Sequence, residues 1–260
     1  MLAFNISLSQ LQMFFLVFLR VSAIVTTMPI FNSQSIPILV KAGLAFATSV
    51  LLFPILKLEP LPVFADLFSF VVGVTGEIMF GIIIGLCVNL IFAGLQMAGQ
   101  LAGYQMGLAI VEVMDPASSE QVPILAQYHH LMALLLFVII NAHHWFVRAL
   151  VESFRLVPPL DYHLSNTVME QLIRLAGHTF IIAIKVGAPV IAALLLTSVA
   201  FGLVARTVPQ MNVFLVAMPI NIFIGLLFIG FSLPYLVALI KQLFSGLGRT
   251  LLFLLQAMAG

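Results

Sequence analysis

Apolar residues run through this chain in six long stretches, separated by short polar breaks. They cover about Leu11 to Ile30, Leu39 to Leu56, Leu67 to Val111, Ile124 to Ile140, Leu172 to Val204 and Val213 to Ile240. A helix needs about 20 apolar residues to cross ~30 Å of hydrocarbon. The first, second and fourth stretches fit single crossings. The third is 45 residues long. As one helix it would reach about 67 Å at 1.5 Å per residue, roughly twice the hydrocarbon thickness. It must either fold back as a hairpin or extend beyond the lipid into other protein. The fifth is also over-long, and Pro189 is expected to kink it. Pro219 and Pro234 are expected to interrupt the sixth. The pattern predicts an all-α integral membrane protein of about six apolar helical segments, several broken or hairpin-like.

The connections carry the turn chemistry. Lys57 to Asp66 holds Pro60 and Pro62, and Glu112 to Pro123 holds Asp115-Pro116 followed by Ser118-Ser119. Asn141 to Asn166 is the longest break and reads as a loop, with Trp145 as a candidate membrane-interface anchor. The basic residues do not collect in alternate loops, so the positive-inside rule fixes no orientation.

Composition narrows the class. Of 260 residues, 63% are hydrophobic and 7% charged, against about 25% charged in a soluble domain. With a mean hydropathy of +1.22, a water-soluble enzyme and a disordered chain are both excluded. A net charge of +1 with no basic run speaks against nucleic acid. The first 19 residues contain no Lys or Arg, so no signal-peptide n-region is present and the N-terminus is expected to remain as a membrane segment. Cys87, the single cysteine, reads as a small buried hydrophobe.

Few residues carry chemistry. Gly81 and Gly85, then Gly99 and Gly103, are spaced by four, which on a helix builds a groove for close backbone approach. The groove suits either the chain's own helices or another subunit. Arg20, Glu77 and Lys185 lie within apolar stretches, where charges are costly and face a partner or a water-filled cavity. Three isolated charges make a thin proton relay, so structural pairing is the better reading. Asn89 and Asn221 are expected to form interhelical hydrogen bonds. The adjacent pairs His129-His130 and His143-His144 point about 100° apart on a helix and make no ready metal site. Nucleophile elbows, phosphate loops and paired carboxylates are missing from the sequence, so neither catalysis nor a cofactor is expected. The segment from Met106 and Gly107 through Ile110, Val113 and Met114 to Asp115 and Pro116 is a glycine-rich helix end, then a soft apolar stretch, then a Pro turn. It reads as a helix end with a connecting loop, or as a constriction that could close a narrow channel, since methionine re-packs against many shapes.

The same segment carries a resemblance. Gln105-Met106-Gly107-Leu108, Asp115-Pro116 and Pro123-Ile124-Leu125 are similar to the flagellar FliR family, a component of the type III secretion export gate. The likeness continues in order along the chain. It takes in Leu19-Arg20-Val21-Ser22-Ala23 with Pro29-Ile30-Phe31, Ile36-Pro37 with Lys41 to Ala45, and Phe92 to Gly99. It resumes at Ala142-His143-His144 with Ser153-Phe154 and Val157-Pro158, and ends at Ala205-Arg206 with Val208 to Phe214.

The resemblance implies a gate component that assembles with FliP-like and FliQ-like subunits, beside FlhA-like and FlhB-like export proteins. Residues 1–170 would be the FliP-like part and 171–260 a FliQ-like hairpin. It implies a place in the bacterial inner membrane, in the flagellar basal body, and unfolded flagellar subunits as cargo. It also implies that Gly107 to Asp115 forms the plug of the resting channel. Here the chain departs from relatives that place Phe in this stretch: Ile110 and Val113 stand there, with Glu112 between them. The rival reading is a small polytopic secondary transporter with broken helices near Pro189 or Pro219 and a site at Glu77 and Lys185.

Overall fold

The computed structural model describes residues 7–31, 36–56, 58, 64, 66–108, 123–161, 165–208, 210 and 212–259. These form seven helices: α1 (Leu8–Thr27), α2 (Ile38–Leu56), α3 (Leu67–Met106), α4 (Ile124–Ile139), α5 (Ala142–Leu156), α6 (Asn166–Thr207) and α7 (Val213–Ala259). No strand occurs among the described residues. Five helices are long and apolar enough to cross a membrane, and α4 with α5, broken at Ile140-Asn141, would make a sixth. The protein is an all-α integral membrane protein.

Two compact units alternate along the sequence. The first comprises Met1–Leu90, Asn141–Leu175 and Ser245–Gly260; the second, Ile91–Ile140 and Ala176–Phe244. In the first unit α1 begins with a capping box: the Ser7 hydroxyl accepts from the Gln10 N–H at 3.3 Å, and the Gln10 side-chain oxygen accepts from the Ser7 N–H at 3.1 Å. Met13, Leu16, Val17, Arg20, Val21 and Ile24 form its buried stripe. On α2 only Ala45, Ser49 and Leu52 are buried, a single narrow seam. The α2 helix packs on α1 through edge-to-face rings, Phe14 with Phe46 and with Phe53, and Phe18 with Phe46. The Asn89 amide donates to the Thr27 carbonyl at 2.6 Å, capping the C-terminal end of α1.

Three features decide between alternatives of the sequence reading or differ from it. First, the long third stretch is one helix of 40 residues and not a hairpin. No Pro or Asn-Gly turn interrupts it, and its glycines meet neighbouring helices, as shown below. Second, Pro219 and Pro234 lie inside a continuous 47-residue helix and do not interrupt it. Apolar surroundings favour retaining every remaining backbone hydrogen bond, so a helix continues past a proline that would end it in water. Third, the supposed loop after Asn141 contains α5. Ala142, Phe146, Ala149, Leu150, Ser153 and Phe154 form its buried face. Its interleaved polar residues lower the local hydropathy, which hid a 3.6-residue period. Asn141, in the left-handed region at φ 55°, separates α5 from α4.

Large apolar side chains remain on the outside: Leu39 is 81% exposed, Phe68 77%, Leu196 74% and Phe231 74%. Such surface requires lipid or other protein as its solvent.

Candidate functional site

Two constellations stand out. The first, in the second unit, is the end of α3. Gly107 takes φ +84°, a left-handed conformation suited to glycine. Its N–H donates to the Tyr104 carbonyl at 3.1 Å, and the Leu108 N–H donates to the Gly103 carbonyl at 3.1 Å. This pair of bonds is a Schellman stop, which satisfies the last carbonyls of the helix. Met106, fully buried, joins Ala102, Leu125, Val190, Leu194 and Ile229 in one cluster, with Leu108 packed against it. Gly225 of α7 makes room for the Met106 side chain: a Cβ there would lie 2.6 Å from its Cγ. Leu125, just inside α4, belongs to the same cluster. The chain therefore leaves the cluster at Leu108 and rejoins it at Leu125. Ile110, Val113, Met114, Asp115 and Pro116 lie outside the described residues.

The glycines sort by what they face. A Cβ on Gly81 would run into Ala23 and the α1 backbone, and one on Gly85 into Thr27. A Cβ on Gly99 would sit 2.7 Å from the Ala126 Cα. These three allow close approach within the chain. Gly103 meets only Leu125 Cδ1, at 3.9 Å. Gly99→Ala should cost about 1–3 kcal/mol through overpacking, whereas Gly103→Ala should be neutral or gain up to about 1 kcal/mol from helix propensity. Thermal unfolding of the two variants in detergent checks the contrast.

The second constellation, in the first unit, joins Arg20 of α1 to Glu77 of α3, both with fully buried side chains. Arg20 Nε donates to Glu77 Oε2 at 2.5 Å and Nη2 donates to Oε1 at 3.1 Å, a side-on fork. Nη1 donates to the carbonyls of Ser153, at 3.1 Å, and Val157, at 2.8 Å. These lie at the C-terminal end of α5, where the helix dipole favours a cation; the Ser153 carbonyl also accepts from the Val157 N–H at 3.0 Å. Phe80 and Phe154 rings flank the guanidinium, with centroids 4.2 and 4.6 Å away. The Leu160 N–H donates to Glu77 Oε1 at 3.0 Å. This fully partnered geometry ties three helices together.

Lys185 is not part of this group: it lies exposed on α6 in the second unit. Asn221 Oδ1 is buried without a hydrogen-bond partner. His129 and His130 make hydrogen bonds within the second unit. The Gln96 amide and His130 Nδ1 are hydrogen-bonded at 2.8 Å, and His129 Nδ1 bonds the Leu125 carbonyl at 2.8 Å. Among the described residues no cluster of His, Cys, Asp and Glu could hold a metal ion. Sequence reasoning missed the Arg20 acceptors at the end of α5 because carbonyls leave no sequence signal. It also missed Gly225, whose one clue was a glycine in an apolar helix.

The family model for bacterial export proteins, family 1, matches residues 11–247. A flagellar biosynthetic protein FliR from Pectobacterium carotovorum subsp. carotovorum is 32% identical over 250 residues, 94% of each chain. The FliR proteins of Escherichia coli strain K12 and Bacillus subtilis strain 168 are each 32% identical. They cover 92% and 89% of this chain and 90% of their own.

Proposed function

The chain belongs to the bacterial export proteins, family 1, grouping with the flagellar FliR proteins, and from that premise we propose that it is a core subunit of the flagellar export gate. It is a membrane-embedded component of the flagellar export apparatus. In the finer reading it assembles in the inner membrane with FliP-like and FliQ-like subunits, beside FlhA-like and FlhB-like ones. Unfolded flagellar subunits thread the channel so formed. Residues 1–170 act as the FliP-like part and 171–260 as the FliQ-like hairpin. Gly107 to Asp115 is the plug, and Met106, Gly107, Ile110, Val113, Met114, Asp115 and Pro116 are its gate residues.

One observation supports the plug reading most. The stretch begins at Leu108 and ends at Pro123, and both flanks are anchored in one buried cluster around Met106 and Leu125. A segment displaced by cargo needs firm attachments at both ends, or the assembly would not reseal. The Met106 seat is also compliant, because a thioether over a glycine can shift without breaking a hydrogen bond. The chain supplies no driving energy in this reading; its task is a seal that yields to a polypeptide.

A photoreactive amino acid at position 114 tests the reading in cells that export a stalled flagellar substrate. We expect a crosslink from position 114 to the substrate, and co-purification of the tagged chain with FliP-like and FliQ-like subunits. A chain purified without partners that moves a solute in liposomes would instead make it a transporter.

A further inference from the structure

Lys185 is used by neither constellation. It lines a notch of about 290 Å³ with Ala188 and Pro189 of α6 and Ser232 and Tyr235 of α7, all in the second unit. Among the described residues no carboxylate pairs with it. Pro189 has no N–H to give to the Lys185 carbonyl four residues earlier. The Ser232 hydroxyl is turned onto the Ile229 carbonyl at 3.1 Å. Lys185 and Tyr235 thus border one largely apolar notch, beside a helix turn whose Lys185 carbonyl lacks its proline-blocked donor.

Its surroundings are apolar in both directions along α6. Phe180 is 58%, Ile181 46% and Ile184 61% exposed before Lys185; Leu196 is 74%, Val199 63% and Leu203 61% exposed after it. From Phe180 to Leu203 this face runs about 35 Å at 1.5 Å per residue, longer than the ~30 Å of hydrocarbon. With Lys185 at a lipid headgroup, Phe180, Ile181 and Ile184 would be left beyond the hydrocarbon. A protein helix laid along the face covers both sides and the notch together. A cation inside such a contact is tolerated only with a counter-charge and supporting hydrogen bonds.

We propose that Lys185 pairs with an Asp or Glu carboxylate on a helix of another export-apparatus subunit, seated over the Lys185–Tyr235 notch. The proposal rests on the assembly reading above and names its contact. The test is zero-length crosslinking of the complex, purified in mild detergent, with a water-soluble carbodiimide. The reagent activates a carboxylate, the lysine nitrogen displaces it to form an amide, and the reagent leaves as its urea. We expect mass spectrometry to find a Lys185 peptide joined to an Asp or Glu peptide of another subunit. Lys185→Met and Lys185→Glu should lower the yield of complex at least about tenfold, and Lys185→Arg less than about threefold. Lack of the amide together with wild-type assembly of Lys185→Met overturns the proposal. So does a phospholipid that accompanies the wild type and is lost from Lys185→Met, which assigns the notch to a headgroup. A wild-type chain that joins no complex sinks the assembly reading as well; an intact complex indifferent to Lys185 sinks this inference alone.

Discussion

Deleting Leu108 to Val113 should leave the assembled gate permanently leaky. The segment starts at the Schellman stop, where Leu108 packs on the Met106 cluster. Removing six residues takes away the apolar stretch that fills the resting channel in our reading, but leaves Met106, Gly107 and the α4 anchor in place. Bilayer conductance of the purified complex, or entry of a small dye into cells expressing it, should rise at least about tenfold, because a water-filled opening replaces a desolvated one with a barrier of several kcal/mol. The milder double variant Ile110→Gly and Val113→Gly should leak less, since the chain still occupies the space without its apolar bulk. The FliP-like and FliQ-like subunits must co-purify in normal amounts in both cases. Unchanged conductance in a complete complex would remove the plug from this mechanism.

The second large effect concerns stability. Arg20→Met leaves Glu77 buried with only the Leu160 N–H to serve it, and should cost about 3–5 kcal/mol, the usual penalty for stripping one partner from a buried pair. Glu77→Leu should cost a similar amount, because Arg20 would keep its two carbonyls at the end of α5 but lose its counter-charge. The double variant Arg20→Met, Glu77→Leu should lose less than either single change, since no buried charge remains to be neutralised. Denaturation in mixed micelles, followed by tryptophan fluorescence from Trp145, measures all three. Additive losses would mean that the two side chains act independently, contrary to the forked geometry.

The apolar stretches were legible because length and hydropathy alone decide what can lie in lipid. Their ends and continuity were less so. Proline's cost depends on whether water competes for the freed carbonyl, and at Pro219 and Pro234 the helix goes on. The α5 helix was hidden because a half-polar face lowers the mean hydropathy that marks a crossing. At the sites, sequence offered Arg20 and Glu77 as charges out of place. It could not show that they meet, since 57 residues separate them. Lys185 looked equivalent to them by that criterion, yet it lies exposed in another unit. The four-residue glycine spacing was equally uninformative between Gly99, which touches backbone, and Gly103, which does not.

The Arg20 geometry also sets an order of events during synthesis. Its carboxylate partner follows 57 residues later, but the two carbonyls it bonds at the end of α5 come 133 and 137 residues after it. Until the ribosome has delivered that stretch, the guanidinium of the first helix is only half coordinated. A nascent chain truncated before Ser153 therefore carries an incompletely matched cation in its first membrane segment. Until then α1 carries a buried-type cation that its own unit has yet to match.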